Sequence, residues 1–233
     1  MSKALSTATA ALMAIVILSA CEDVGNGGGN GGPPLVVEEN GVSSFSGTAL
    51  TSSILALPVE TLNATEQSSL AYMREEEKLA HDAYVYLDGL WGSSLRAFGN
   101  IANSESTHAE AVRQLLLRYN QADPAATLGA GEFANATLQG LYRQLTVAGI
   151  PTLIDALKVG AAIEELDMVD INRALADIDN QDIRLVYDNL LKGSRNHLRA
   201  FVKTLAQQGV VYTPQYLPQA DFDAIVSTPI ERN

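Results

Sequence analysis

The chain has 233 residues, with 27 acidic side chains against 15 basic ones and a formal net charge of −12. That balance repels nucleic acid and anionic headgroups, and leaves metal cations as a natural class of partner. A single cysteine excludes an intramolecular disulfide and a cysteine metal cluster.

At the start, Lys3 is followed by the apolar run "ALMAIVILSA" and then Cys21. The run is too short to span a bilayer and has the shape of a secretory signal, so residues 1–20 are expected to be removed. "LSAC", Leu18 to Cys21, resembles a bacterial lipobox. The resemblance implies lipidation of Cys21, export, and anchoring in the cell envelope through the acyl chain alone. Glu22 does not resemble an inner-membrane retention signal, which places the anchor on the periplasmic face of the outer membrane. The mature chain then carries 14 cations and 27 anions, a net −13. "EDVGNGGGNGGPP" reads as a flexible tether, and residues 21–57 are assigned to it. One domain is expected over residues 58–227, with a short tail over 228–233.

Within that domain apolar residues recur at three- and four-residue steps, and strand-like alternation is scarce. A first helix is expected from Asn63, with Glu66 as capping-box partner, to about Leu87 and a stop near Gly89. A second spans roughly Leu95 to Tyr119. A long connection follows, holding Gly129, Gly131 and a short helical piece, "TLQGLYRQL". The third helix begins after Pro151 and Thr152 and ends near Ala176. The fourth runs from about Gln181 to Gln208 and stops at Gly209. The fold class is therefore all-α: a four-helix bundle with one long connection between helices two and three. "VVYTPQYLP" is expected to cross the bundle as an extended C-terminal tail.

Alternating three- and four-residue steps define the face that each helix turns to the core. They give Leu70, Met73, Glu77, Ala80, Tyr84 and Leu87 in the first helix, and Ile101, Glu105, His108, Val112, Leu115 and Tyr119 in the second. The third gives Leu157, Gly160, Glu164, Asp167, Ile171 and Ala174, and the fourth Ile183, Tyr187, Leu190, Ser194, His197 and Phe201. Every seam is apolar except near its middle, where a carboxylate, a histidine or both intrude. Converging buried carboxylates repel one another and ask for a shared cation. Carboxylate oxygens with imidazole nitrogens suit iron, manganese or zinc. Glu105 and His108, spaced i, i+3, share one face and can serve one di-metal site.

"SESTHAE", with Glu105-x-x-His108, resembles the second-helix motif of the ferritin-like di-iron proteins. Glu77-x-x-Ala80-x-x-x-Tyr84 is similar to the first-helix pattern of their rubrerythrin-like members. "YMREEEKLAHDAY", "FGNIANSESTHAEAV", "GAAIEELDMVDI" and "GSRNHLRAF" together resemble the ferritin-like family catalogued as domain of unknown function 2202, over nearly all of residues 65–225. The resemblance implies one glutamate each from helices one and three and Glu-x-x-His from helices two and four, around two iron ions. Here Ser194-x-x-His197 stands in place of the second Glu-x-x-His. Asp167, one turn after Glu164, is expected to replace the missing carboxylate. The expected ligands are thus Glu77, Glu105, His108, Glu164, Asp167 and His197.

In the triplet Glu75–Glu76–Glu77, Glu75 lies about 200° from Glu77 and is expected to face water. Glu76, about 100° away, is the alternative ligand or a supporting partner. His81 falls on the flank. Tyr84 and Tyr187 read as core aromatics with bonded hydroxyls, Tyr84 and Ser194 also as neighbours of the centre. Ser194 with His197 lacks the context of a hydrolase nucleophile. Asn196 and Arg199 are expected to order the tail or the centre, and Arg173, Arg184 and Arg195 to be surface ions. Two functions compete: a di-iron oxidoreductase acting on oxygen or peroxide or handling iron, and a non-catalytic lipoprotein whose metal staples the bundle or is lost. A homodimer fits either.

Overall fold

The computed structural model describes residues 33–232. Two strands come first, β1 (Leu35–Val37) and β2 (Ser43–Phe45). Seven helices follow: α1 (Gly47–Leu55), α2 (Ala64–Trp91), α3 (Ala97–Arg118), α4 (Ala136–Ala148), α5 (Leu153–Leu175), α6 (Gln181–Gln207) and α7 (Gln219–Val226). The four expected helices are α2, α3, α5 and α6. They form an all-α bundle in which α2 packs on α3 and α5 on α6, and α2–α5 and α3–α6 contacts close it. Among the described residues no helix is long and apolar enough to cross a membrane.

Local chemistry sets the helix ends. Asn63 and Glu66 form the expected capping box. The Thr152 hydroxyl caps α5 by accepting from the Asp155 N–H at 3.1 Å. Gly209, at φ +75°, closes α6 while Val210 N–H reaches back to the Leu205 carbonyl. Gly89 does not stop α2, since a single helical glycine costs only about 1 kcal/mol. The helix ends instead before Gly92, where a Cβ would stand 2.6 Å from the Asp88 carbonyl.

Residues 33–57, expected to belong to the tether, are folded instead; residues 21–32, Leu18 and Cys21 lie outside the described residues. β1 and β2 pair antiparallel with Leu35 opposite Phe45, around a turn in which Gly41 adopts φ +94°. Leu35, Phe45, Leu50 and Ile54 are buried, so the segment contributes core rather than linker. At the other end, residues 210–217 form neither helix nor strand and bend at 215–217, and "QADFDAIV" then forms α7, which lies on α6 with Phe222 buried against Tyr212.

Glu75 does not face water. It is buried, and its Oε2 accepts from the Asn135 N–H at 3.0 Å. The angular reading considered only the bundle interior, whereas α4 and the segment before it cover this flank of α2. Arg184 and Arg195 also hold structure. Arg184 caps the end of α5 by donating to the Leu175 and Ile178 carbonyls, and Arg195 pairs with Glu231.

Of the seam positions read above, all but Tyr119 and Ala174 are buried. The core is divided. One apolar half contains Ala80, Tyr84, Leu87, Ile101, Leu157 and Phe201. The other contains Leu70, Met73, Val112, Leu115, Ile171 and Leu190. Between them lies a polar layer.

Candidate metal centre

The layer is built by α2, α3, α5 and α6. Glu77, Glu105, His108, Glu164 and His197 meet there, each at most 2 % exposed. Their ligand atoms form two groups, Glu77–Glu105–His108 and Glu105–Glu164–His197, and within each group those atoms lie within 4.8 Å of one another. Glu105 belongs to both. Its Oε2 is 2.7 Å from His108 Nδ1 and its Oε1 2.8 Å from His197 Nδ1. Glu77 Oε2 is 3.5 Å from His108 Nδ1, and Glu164 Oε1 is 3.5 Å from His197 Nδ1. The two imidazoles stack with centroids 5.6 Å apart.

Helix spacing explains the convergence. Glu105 and His108 sit one turn apart on α3, so a single face delivers both a carboxylate and an imidazole. Gly193 on α6 makes room for the His108 ring, since a Cβ there would stand 2.8 Å from Cε1. Gly160 on α5 does the same for Phe201, whose ring stacks on Tyr84 and borders the layer.

Several of these atoms are buried without a hydrogen-bond partner: Glu77 Oε2, Glu105 Oε1, Glu164 Oε2 and His197 Nδ1, together with Glu76 Oε2. His197 Nδ1 and Glu105 Oε1 stand 2.8 Å apart but lack hydrogen-bond angles, so their contact is an ion pair that leaves both atoms without a hydrogen bond. Such groups cost free energy unless something satisfies them. The electrostatics express the same strain. Burial raises the Glu77 carboxyl to about 7, against the pull of His108. Burial raises Glu164 as well. Burial disfavours charge on the histidines, but the carboxylates outweigh it: Glu105 and Glu77 hold His108 well above its ordinary value, and Glu164 with Glu105 holds His197 at about 9. Burial would raise Glu105 too, yet the two histidines keep it below the usual carboxylate range.

The remaining expected residues divide. Asp167 is buried but its carboxylate belongs to neither group. Burial, then the charges of Glu76 and Glu77, push its carboxyl well up. Glu76 also lies outside both groups, raised by burial and by Asp170. Ser194 donates to the Leu190 carbonyl of its own helix at 3.2 Å and does not reach the centre. Tyr84 does: its hydroxyl donates to Glu164 Oε1 at 2.6 Å and stands 3.1 Å from the Gly160 carbonyl. Tyr187 pairs with Ser69, and His81 with Asp82 on the flank. Asn196 and Arg199 bind the tail, Asn196 Oδ1 accepting from the Glu231 N–H and Arg199 donating to the Ile225 carbonyl.

Two partners of the centre were not foreseen, Ser43 and Ser104, which contact the outer nitrogens of the histidines. The Asn40–Gly41 pair was the available sign that residues before 58 form a hairpin.

In comparisons with known proteins, an uncharacterised protein of Methanocaldococcus jannaschii, MJ0754, is 46 % identical over 179 residues, 77 % of this chain and 96 % of the relative. The crystal structure of that hypothetical protein superposes with a TM-score of 0.73, covering 75 % of this chain and 99 % of the other. Residues 66–229, which carry the whole polar layer, match the family described as an uncharacterized protein domain, and the chain belongs to that family, DUF2202.

Proposed function

We propose that the protein is a ferritin-like metal protein that holds two divalent transition ions, iron before manganese or zinc, on Glu77, Glu105, His108, Glu164 and His197. The observation that supports this best is the set of buried, partnerless ligand atoms converging on one layer. The donor set suits the ions: three carboxylates and two imidazoles, with Glu105 shared and one carboxylate and one histidine left for each side. Asp167 and Glu76 lie beside the set without joining it, and burial favours their neutral forms. When bound, the pair supplies two electrons to dioxygen or peroxide in one site, which makes the proposed activity that of an oxidoreductase.

The chain's own residues have defined tasks in this reading. Glu105 fixes the spacing of the two positions, because each of its oxygens faces a different histidine. Tyr84 orients Glu164 and keeps a proton beside it, since burial, followed by Glu164, pushes the phenol well above its ordinary value. Phe45, edge-on to His108 at 5.6 Å, and Phe201 restrict water at the layer.

A second reading is a purely structural metal staple. It is favoured by Ser194, which leaves α6 without a carboxylate at the centre. Both readings place the protein as an exported lipoprotein anchored by Cys21 to the cell envelope, with the bilayer touched only by the acyl chain.

The decisive experiment is metal analysis of protein expressed without residues 1–20, then anaerobic ferrous loading and exposure to oxygen. Two irons per chain and an absorbance change on oxidation are expected. Thermal stabilisation by metal without oxidation chemistry selects the staple. Near-zero metal after loading removes both.

A further inference from the structure

The polar layer is closed on one side by a segment that precedes the family-matched residues 66–229. β2 crosses α3 and α6 and brings Ser43 to the outer edges of both histidine rings. His108 Nε2 lies 2.6 Å from the Ser43 carbonyl oxygen. A carbonyl only accepts, so this nitrogen carries a proton, and Nδ1 is the atom left to face Glu105 and Glu77. His197 Nε2 meets the Ser43 N–H and the Ser104 hydroxyl, each at 3.2 Å. The Ser104 hydroxyl donates to the Ser43 carbonyl, so of these two neighbours the Ser43 N–H is the donor to His197 Nε2.

The hairpin is held in this place by bonds at both ends. Phe45 N–H donates to Thr107 Oγ1 at 2.9 Å. Asn196 Nδ2 donates to Ser43 Oγ at 3.1 Å, and Ser43 Oγ donates to the Gly41 carbonyl. Gly41 permits the close approach: its φ is +94°, and a Cβ there would stand 2.9 Å from the Asn196 carbonyl. Gly193 of α6 lies against the same edge of the ring, where a Cβ would stand 3.1 Å from His108 Nε2 and 3.8 Å from Ser43 Cβ. The Nε2 edge of the imidazole thus meets both β2 and α6.

We propose that Ser43 is a positioning residue for His108, whose Nε2 proton its carbonyl holds, and that the N-terminal hairpin is therefore a working part of the centre. Partners that fix the outer nitrogen of a ligating histidine set its tautomer and ring orientation, and removing them weakens metal binding about 10- to 100-fold. The effect on metal rests on the proposed metal reading; the effect on the ring does not.

The test uses 15N-labelled protein and the variant Gly41→Val, which cannot keep the turn against α6. In metal-free wild type, a slowly exchanging proton on His108 Nε2 is expected. In Gly41→Val that protection is lost, zinc affinity measured by competitive titration falls 10- to 100-fold, and helical circular dichroism is kept. The proposal is overturned if residues 43–45 become exchange-exposed while the His108 Nε2 proton stays protected. It is equally overturned if that proton is released and zinc affinity does not change. Should Gly41→Val fail to fold, Thr107→Val loosens only the Phe45 end, and the same two comparisons apply with smaller shifts. If wild type binds no zinc but the proton is still released in the variant, the metal reading falls and the positioning of His108 by Ser43 stands.

Discussion

Glu164 and Glu165 are neighbours on α5, both fully buried, and their surroundings are opposite. Glu165 Oε1 accepts from the Tyr212 hydroxyl at 2.7 Å, and its Oε2 accepts backbone N–H bonds from Gln215, Tyr216 and Leu217 at 2.7–2.9 Å. Glu164 has the Tyr84 hydroxyl on one oxygen and nothing on the other. Glu66 resembles Glu165, accepting from the Asn63, Asp179 and Asn180 N–H groups. This fold therefore satisfies buried carboxylates with N–H and O–H donors where they serve structure. Outside the layer the partnerless Asp182 Oδ2 lies 2.8 Å from the Arg118 guanidinium, whereas among the described residues the partnerless oxygens of Glu76, Glu77, Glu105 and Glu164 gather in and beside the layer with no arginine or lysine in ion-pair contact, a pattern that a cation would relieve.

The sharpest way to break that comparison is to remove the shared member of the layer. Glu105→Ala is expected to lower bound metal from two ions to less than one per chain, with affinity down more than about 100-fold. Metal analysis after equilibrium dialysis reads this directly. Full retention of metal would place the ions elsewhere. Glu165→Ala is expected to do the reverse, leaving stoichiometry intact while costing about 3–5 kcal/mol in urea unfolding, because buried donors of the tail lose their acceptor. The loss should begin in residues 212–217 by hydrogen exchange.

A smaller effect separates the two neighbours more finely. In metal-free protein, Glu164→Gln should leave stability unchanged or raise it by roughly 1 kcal/mol, since the amide oxygen still accepts from Tyr84 and a buried charge disappears. The same variant should lose most of the metal-dependent rise in melting temperature. A metal-free destabilisation as large as that of Glu165→Ala would erase the distinction. Asp167→Asn, outside both groups, should leave two ions bound, as inductively coupled plasma analysis of the loaded protein would show.

Much of this was legible in the sequence, for physical reasons that also mark where legibility ends. Helical period placed Glu77, Glu105, His108, Glu164 and His197 on inward faces, because burial repeats with the turn of the helix. The same period put Asp167 on that face but could not say how far a short side chain reaches across it. Glu75 was misplaced because angle on one helix carries no information about a second layer, here α4. Ser43 was hidden in a Gly/Asn-rich flank whose composition suggests a linker, and what it contributes is backbone, which no residue type announces. Glu165 escaped notice because its donors lie 47–52 residues away, in the irregular segment between α6 and α7.

Glu231 extends the comparison to a carboxylate that is satisfied but partly open to water, with a 30 % exposed side chain. Burial alone would raise it, but hydrogen bonds from Arg195 and Arg199 hold it below the usual glutamate value near 4.5. The folded state thus binds this proton less readily than the unfolded one. Its stabilising contribution is complete above about pH 4.5 and is lost as pH falls through the depressed value. Solvent screening keeps the effect small, less than about 1 kcal/mol. Hydrogen exchange at the Glu231 amide, which donates to Asn196, should therefore speed up between pH 5.5 and 3.5 relative to its intrinsic rate. Glu231→Gln should flatten that dependence and leave metal loading at pH 6 unchanged. A loss of metal in Glu231→Gln would mean that Asn196, which also bonds Ser43, carries tail docking through to the histidines, and the satisfied and unsatisfied carboxylates would then form one coupled network.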